Sequence, residues 1–587
     1  MSDNKGFSFF LLRRLISFLS PYKWRFIFLL CLTIVYAIVS PAIPMLIHAL
    51  IDKHLRIGDY TGVPTLFSWM VAILVFQSLL LFGNTYLSAW IGQHVIKDVR
   101  IKLFTHILKL RLKFFDNTPI GQLVTRCVSD IQTLAELFGQ GITALLAEFL
   151  KLIAIMAYMF YLNWALTLIT LSVFPFLLFA TYLFKESIKK SYNQVRNAVA
   201  KLNTFVQERI TGMSIVQIFN AEEREYSNFD EINKEHRDAN LASVKYYSIY
   251  FPVAEVLGAV GIGLIIWYGG MHIGVGEAGI IEGPGELIAF IMYLNMFFRP
   301  IRMIADRFNS LQMGIISAER IMDLLDNKES IINEGKLSAD GVNGSIEFKN
   351  VWFAYNDEDY ILKNLSLEVG KGKSVAIVGA TGAGKSSTIN LLSRLYELNK
   401  GEVLLDGMDV KEYDLASLRK NIGVVLQDVF LFSGSVKDNI TLGDVEITTR
   451  EVWEAIDMVG ARGFIEKLPE QLDYNVRERG ASLSVGQRQL ISFIRVLVHK
   501  PKVLILDEAT SSIDSETEYL IQNAIEVLMK GRTSIIIAHR LSTIRKADKI
   551  IVLEKGELVE QGHHEELIQK EGGYYKQLND MQLSHTL

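Results

Sequence analysis

The sequence predicts a membrane all-α domain of six helices followed by an α/β domain built around a phosphate-binding loop. Long apolar runs crowd the first half of the chain. Short β-rich runs alternate with helical segments in the second half. One complete phosphate-loop pattern stands there between a strand and a helix.

The 587 residues exceed one ordinary domain. Half of them are hydrophobic, with a mean hydropathy of +0.25, high for a soluble enzyme. A membrane-crossing helix needs roughly 20 apolar residues. Six runs qualify: Trp24–Ile51, Val63–Gly92, Gly139–Tyr161, Trp164–Phe184, Ile249–Ile273 and Gly285–Ile304. Pro41, Pro44, Pro175 and Pro252 lie inside these runs, which membrane helices tolerate when neighbours satisfy the freed carbonyls.

Lysine and arginine placement sets the orientation. The connection between runs two and three carries Lys97, Arg100, Lys102, Lys109, Arg111, Lys113 and Arg126. That between runs four and five carries Lys185, Lys189, Lys190, Arg196 and Lys201. Connections after runs three and five are nearly free of positive charge, whereas Lys53 and Arg56 after run one are offset by Asp52 and Asp59. Both termini and the second half are therefore expected in the cytosol, with the first half in the cytoplasmic (inner) membrane. Segments such as Asn193–Glu208 and Glu222–Ser243 lack Gly and Pro, so they are expected to carry membrane helices well into the cytosol. Short breaks at Asp116–Pro119 and Asn220–Glu222 interrupt them.

Phe7–Leu19 is apolar but interrupted by Arg13 and Arg14, and no small-residue cleavage site follows. It reads as an interfacial helix with Arg13, Arg14 and Lys23 toward the headgroups, the alternative being a cytosolic leader. The two cysteines, Cys31 and Cys127, suit neither a disulfide framework nor a metal site. A net charge of -4 and no basic tail give no attraction for nucleic acid.

The expected division is residues 1–325 for the membrane domain, 326–344 for a polar linker, and 345–587 for the α/β domain. In the last, Ser345–Phe353, Leu365–Glu368, Ser374–Val378, Gly423–Leu426, Val503–Leu506, Ser534–Ala538 and Lys549–Leu553 read as strands of a largely parallel core sheet.

Gly379-Ala380-Thr381-Gly382-Ala383-Gly384-Lys385-Ser386 matches the phosphate-loop pattern in full, after the strand Ser374–Val378 and before a helix expected over Ser386–Tyr396. Glycines let backbone N–H groups turn toward phosphates, and the helix N-terminus adds a favourable field. Lys385 is the candidate for the β- and γ-phosphates, and Ser386 for Mg²⁺, with Ser387 beside it among the nucleotide-binding candidates. Val503–Leu506 leads into Asp507, a candidate Mg²⁺ ligand, and Glu508, placed to polarise an attacking water.

Leu483-Ser484-Val485-Gly486-Gln487 resembles the signature of the ABC transporter ATPases, and flanking motifs extend the likeness over the second half. The resemblance implies ATP and Mg²⁺ as ligands. Ser484, Gly486 and Gln487 are then expected at the γ-phosphate of a nucleotide held by a partner subunit. Tyr355 matches the aromatic that stacks on adenine. Gln427 matches the glutamine that senses Mg²⁺ and couples to the membrane domain. Asp514, in Ser511-Ser512-Ile513-Asp514, matches the loop that crosses the dimer interface, and His539 the switch histidine. Val485 departs from the usual glycine, which puts the strength of the site built with this signature in doubt. Glu478-Arg479-Gly480 resembles an exporter-specific loop.

The first half resembles the membrane domain of the multidrug and lipid A exporters of that family, with Phe114-Phe115-Asp116 and Phe219-Asn220-Ala221-Glu222 similar to their two coupling segments. The resemblance implies a half-transporter, paired as a homodimer or heterodimer, that moves amphiphilic small molecules, drug-like compounds or lipids, by alternating access. The rival readings are a dedicated lipid A or phospholipid flippase, and an ATP-gated channel or regulatory ATPase. Ionisable residues inside membrane runs are costly and hence functional candidates. Glu255, Arg299 and Arg302 are candidates for substrate contact, the alternative being structural pairing or snorkelling. Basic residues near Arg299 and Arg302 occur in lipid A flippases, but other basic positions of that cavity are apolar or neutral here. Glu148 and Lys151 stand one turn apart and are expected to pair.

Overall fold

In lipid every backbone polar group must be satisfied within the chain, so apolar runs of this length fold as helices. A computed structural model describes residue 14 and residues 17–272, 281, 283–331, 333–356, 359–508, 515–538 and 541–584. The chain divides into two compact units. One comprises Met1–Leu108 and Ile120–Asn327, the other Lys109–Pro119 and Lys328–Leu587.

In the first unit the described residues of all six runs fall in helices apart from short breaks, and among the described residues five helices are long and apolar enough to cross a membrane. The first run is split into α1 (Lys23–Val39) and α2 (Ala42–Leu50), because Pro41 has no N–H with which to continue the ladder. Helix α3 spans Val63–Ile107, and its 45 residues reach about 68 Å, twice the ~30 Å hydrocarbon thickness. The third run is α4 (Ile142–Leu162). The fourth is divided at Val173 into α5 (Trp164–Ser172) and α6 (Phe174–Thr211), with Pro175 in the first turn of α6, where its missing N–H costs nothing. Asn163 caps α5 by accepting from the amides of Ala165 and Leu166. Helix α7 (Glu222–His272) runs through Pro252 without a break, and α8 (Pro284–Leu325) through Pro300.

Small residues bring these helices together. A Cβ on Gly92 of α3 would stand 3.2 Å from the Gly139 Cα, and the Ser88 hydroxyl donates to the Gly139 carbonyl. Along α6 and α7, Ser191 meets Ser243 at 2.8 Å and Thr181 meets Tyr250 at 3.0 Å. Most of Phe7–Leu19 lies outside the described residues. Its Arg14 forms a two-bond ion pair with Asp326, just past α8, because a carboxylate offers a guanidinium two acceptors at once.

The second unit holds two sheets. Strands β1 (Ile346–Ala354), β2 (Tyr360–Val369), β4 (Lys400–Leu405) and β5 (Met408–Asp409) make an antiparallel sheet in the order β2-β1-β4-β5. Strands β3 (Ser374–Gly379), β6 (Ile422–Val425), β7 (Val503–Glu508), β8 (Thr533–Ala538), β9 (Lys549–Glu554) and β10 (Glu557–Gly562) form the core in the order β10-β9-β3-β8-β7-β6. Only β10 of that sheet is antiparallel. β4, β5 and β10 were not expected. β4 opens on three exposed residues and β10 is an edge with a single buried position, so neither carries an apolar run.

A two-stranded bridge joins the unit's two pieces of chain. Leu110 pairs with Ser330, the Arg111 amide donates to the Glu329 carbonyl at 2.9 Å, and the Ile331 amide to the Lys109 carbonyl at 3.2 Å. The Arg111 Nε donates to the Ser330 carbonyl at 3.0 Å. The short helix Leu112–Asn117 follows, and Leu112 packs on the hydrophobic core shared by the two sheets.

Candidate nucleotide site

The core sheet sets out a row. β3, β8, β7 and β6 are consecutive parallel neighbours. In sequence they lead, respectively, into the phosphate loop, His539, the acids Asp507 and Glu508, and Gln427. Parallel α/β sheets bind ligands outside the carboxyl ends of their strands.

The loop between β3 and α9 (Lys385–Leu392) needs its glycines. Gly384, the residue before α9, has φ +95°, and a Cβ there would stand 2.6 Å from the Leu362 side chain. Gly382, at φ +84°, has open space around it, leaving the backbone free for close approach. Helix α9 ends at Leu392 rather than at Tyr396, where Ser393 and Arg394 close its last turn.

Lys385 is only 8% exposed. Its ammonium donates to the carbonyls of Gly379 at 2.8 Å and Ala380 at 3.0 Å, so the loop's own backbone holds it in place. Burial lowers its pKa below the ordinary lysine value, and the charge of Asp507 acts in the opposite direction. Lys385 and Asp507 thus feel one another across the end of the sheet. Ser386 is exposed, as are Thr381 and Gly382, while Ala383 and Ser387 are buried.

A serine hydroxyl and a carboxylate are hard oxygen donors of the kind Mg²⁺ takes, usually from one or two protein groups plus substrate phosphates. Ser386 and Asp507 fit that description. Among the described residues no cluster of three His, Cys, Asp or Glu suggests a self-contained metal cage.

Tyr355 follows β1. Its ring packs edge-on to Tyr396 at 4.9 Å, and its hydroxyl lies 3.2 Å from both Ser387 Oγ and Asn390 Nδ2. The aromatic is therefore tied to the phosphate-loop helix, a partnership with Asn390 that no motif announced. Gln427 is exposed. The Glu508 backbone ends β7, paired with Ala538, but its side chain lies outside the described residues, as do Asp514 and His539.

The signature residues open α10 (Val485–His499). Ser484 caps it in a reciprocal box: its Oγ accepts from the Gln487 amide at 3.2 Å, and Gln487 Oε1 accepts from the Ser484 amide at 2.9 Å. Val485 is 50% exposed beside them. One buried polar residue escaped sequence reasoning. Gln489 of α10 lines a void of about 10 Å³ with Asp507 and Phe493.

Of the membrane candidates, Glu255 is exposed on α7. Arg299 and Arg302 belong to α8, with side chains outside the described residues. Lys151 donates to both Glu148 oxygens at 3.2 Å, and its ammonium lies 5.4 Å from the Tyr36 ring centre.

The family described as the ABC transporter transmembrane region matches residues 26–301, and that described as ABC transporter matches residues 362–511. The chain is 37% identical to the "Probable multidrug resistance ABC transporter ATP-binding/permease protein YheH" of Bacillus subtilis (strain 168), over 86% of this chain and 75% of that protein. It is 35% identical to the ATP-dependent lipid A-core flippase of Syntrophus aciditrophicus (strain SB), over 96% of this chain and 93% of that protein. A bacterial Atm1-family ABC exporter solved with ATP bound matches with a TM-score of 0.76 at 27% identity, covering 95% of this chain and 98% of that one. With a multi-pass helical half and a nucleotide-binding ATPase half in one polypeptide, this chain belongs to the ABC transporters and is an ATP-driven exporter.

Proposed function

We propose that this half-transporter pairs face to face with a second one in the cytoplasmic membrane and exports or flips amphiphilic small molecules, drug-like compounds or lipids. The termini and the ATPase unit face the cytosol. The observation that carries the mechanism is the placement of Lys385 and Asp507 at the same end of one parallel sheet, close enough for their charges to interact.

Each subunit's phosphate loop, from Gly379 to Ser387, holds one ATP, with Tyr355 against the adenine. Lys385 moves its N–H bonds from its own loop carbonyls to the phosphates. Ser386, Gln427 and Asp507 would hold Mg²⁺, which would supply positive charge to the phosphate oxygens. Glu508 orients the attacking water and His539 contacts the γ-phosphate. Ser484, Gly486 and Gln487 of one subunit, already ordered by their capping box, close over the nucleotide of the other, and Asp514 crosses between them. ATP binds the closed pair better and so shifts the equilibrium toward it. Catalysis is positioning plus electrostatic stabilisation.

Glu508→Gln tests this. Expected are retained ATP binding, turnover lowered by about 10²–10⁴-fold, and a trapped closed dimer. Near-normal steady-state turnover would remove Glu508 from its role. For the substrate, Arg299 and Arg302 favour anionic amphiphiles if they face the cavity. Replacing both with Ala then lowers stimulation by acidic lipids more than stimulation by cationic drugs. Equal losses with lower thermal stability mark the two arginines as structural.

A second reading concerns the partner. Lys385, Asp507, Glu508 and His539 are all present, while the signature carries Val485. That asymmetry favours a different half-transporter as partner, with a homodimer as the alternative. Purified alone in lipid, a stable dimer of twice the 66.4 kDa chain with robust turnover rules out an obligatory heterodimer.

A further inference from the structure

At the opposite end of the core sheet from the nucleotide site, the ATPase unit contains a second cavity of about 240 Å³. Its walls are the start of β3 (Ser374), the last turn of α11 (Ser515–Met529), the entry to β8 (Arg532), and the end of α12 (Leu541–Arg545) with the turn after it (Lys546, Asp548). We infer that this cavity is a regulatory site for a small organic anion, a phosphate ester or carboxylate, whose binding changes the rate of ATP turnover.

The charge of the lining sets the sign of the ligand. Two acids are present and both are occupied. Asp548 accepts from the Ser374 amide and hydroxyl at 2.8 Å each and from Lys373 at 3.0 Å, while Glu526 pairs with Lys546. Among the bases, Arg532 spends two donors on the carbonyls of Pro501 and Leu528. Lys530 is exposed and makes no ion pair among the described residues. Thr543 is buried, and its hydroxyl has no hydrogen-bond partner there. The lining carries three bases, Lys530, Arg532 and Lys546, against two acids, Glu526 and Asp548, so its net charge is positive and Lys530 is the base left over. Ile525 and Met529 add an apolar strip suited to a short carbon stem. The volume falls below the usual range of ligand pockets, which excludes a nucleotide or a lipid.

The walls explain how occupancy reaches the chemistry. β3 runs six residues, about 20 Å, from the cavity to the phosphate loop. β8 runs from the cavity toward His539, and α11 begins next to Asp514 and ends in the cavity. Ile525 of α11 lines this cavity on one side and the small void beside Asp507 and Gln489 on the other. A ligand drawing Lys546 away from Glu526 pulls on α11, whose Ile525 packs between this cavity and the void beside Asp507.

The test uses the full-length transporter in lipid nanodiscs with glycerol 3-phosphate and succinate as probes, against sodium chloride of equal ionic strength. Binding is read as a thermal shift without ATP, and coupling as turnover at saturating ATP. For at least one probe we expect a thermal shift and a change in turnover of about five-fold, within the usual range of allosteric coupling. Both responses should be lost in Lys530→Ala, whose exposed side chain pairs with no acid among the described residues, so the fold and basal turnover stay intact. A response to glycerol 3-phosphate alone identifies a phosphate site, and one to both a general anion site. The assignment falls if neither probe shifts the wild type, or if Lys530→Ala responds equally. A thermal shift without a change in turnover overturns the regulatory role. A raised KM for ATP at constant kcat marks competition at the phosphate loop and also overturns it.

Discussion

The carboxylate of Asp52, at the end of the first membrane segment, accepts the amides of Gly285 at 2.9 Å and Glu286 at 3.0 Å, the first turn of α8. It is also 3.3 Å from His48. A helix start buried without such a partner leaves donors unsatisfied. Asp52 thus caps a helix more than 230 positions away and locks two membrane segments together. Asp52→Ala should destabilise the protein by about 1–3 kcal/mol, and Asp52→Asn by less because it keeps one acceptor oxygen. Thermal unfolding in nanodiscs measures the difference, and equal midpoints for the three proteins would refute the capping role.

Lys385 titrates below the ordinary lysine value because it is buried. Its ammonium form is the one that binds phosphate, so ATP affinity should fall as pH rises through that lowered pKa. Binding should raise the pKa again, with proton uptake at alkaline pH. Lys385→Arg, charged throughout, should bind more weakly at neutral pH but show no such decline. Nucleotide affinity measured from about pH 7 to 10 separates the two profiles.

Val485 occupies the first helical position beside the cap formed by Ser484. The cap uses the Ser484 oxygen and the Gln487 amide, neither of which depends on residue 485. Val485→Gly should therefore leave the fold unchanged and raise turnover of the self-associated protein several-fold. Unchanged turnover would make the valine neutral and withdraw the sequence support for a heterodimer.

Glu451 caps the helix Thr449–Met458 together with Thr448 and pairs with Lys500 at 2.9 Å. The Lys500 contact, helped by Thr448, holds its carboxyl at about 2 instead of 4.5. A depressed acid contributes stability that is complete above about pH 4.5 and lost as pH falls toward 2. Wild type should be more stable than Glu451→Gln above that window, and the two should converge below it. High salt should shrink the gap, since the pair is exposed. Urea midpoints across pH give the comparison.

Much of this was legible in the sequence because the determinants are local. The phosphate loop shows itself through glycine spacing, and β3, β7 and β8 through short, unbroken apolar runs that only doubly covered strands can afford. What stayed hidden depends on distant partners. Nothing around Asp52 signals a role in α8, and nothing around Arg14 points to Asp326. The Tyr355 contact with Asn390 arises only when β1 meets α9. Edge strands such as β10 stayed unread because solvent replaces the apolar neighbours that would betray them.

The bridge between Lys109–Arg111 and Glu329–Ile331 has a practical consequence for isolating the ATPase. A fragment cut at Lys328, natural as that boundary looks in a linear reading, would carry a unit missing one of its own pieces. The Ile331 amide and the Glu329 and Ser330 carbonyls would face water, and the seat of Leu112 on the core shared by the two sheets would lie open. The ATPase unit of this exporter is encoded in two separated stretches of the gene. A fragment that grafts residues 109–119 ahead of residue 328 through a flexible tether should resist proteolysis at the new terminus better than the simple truncation.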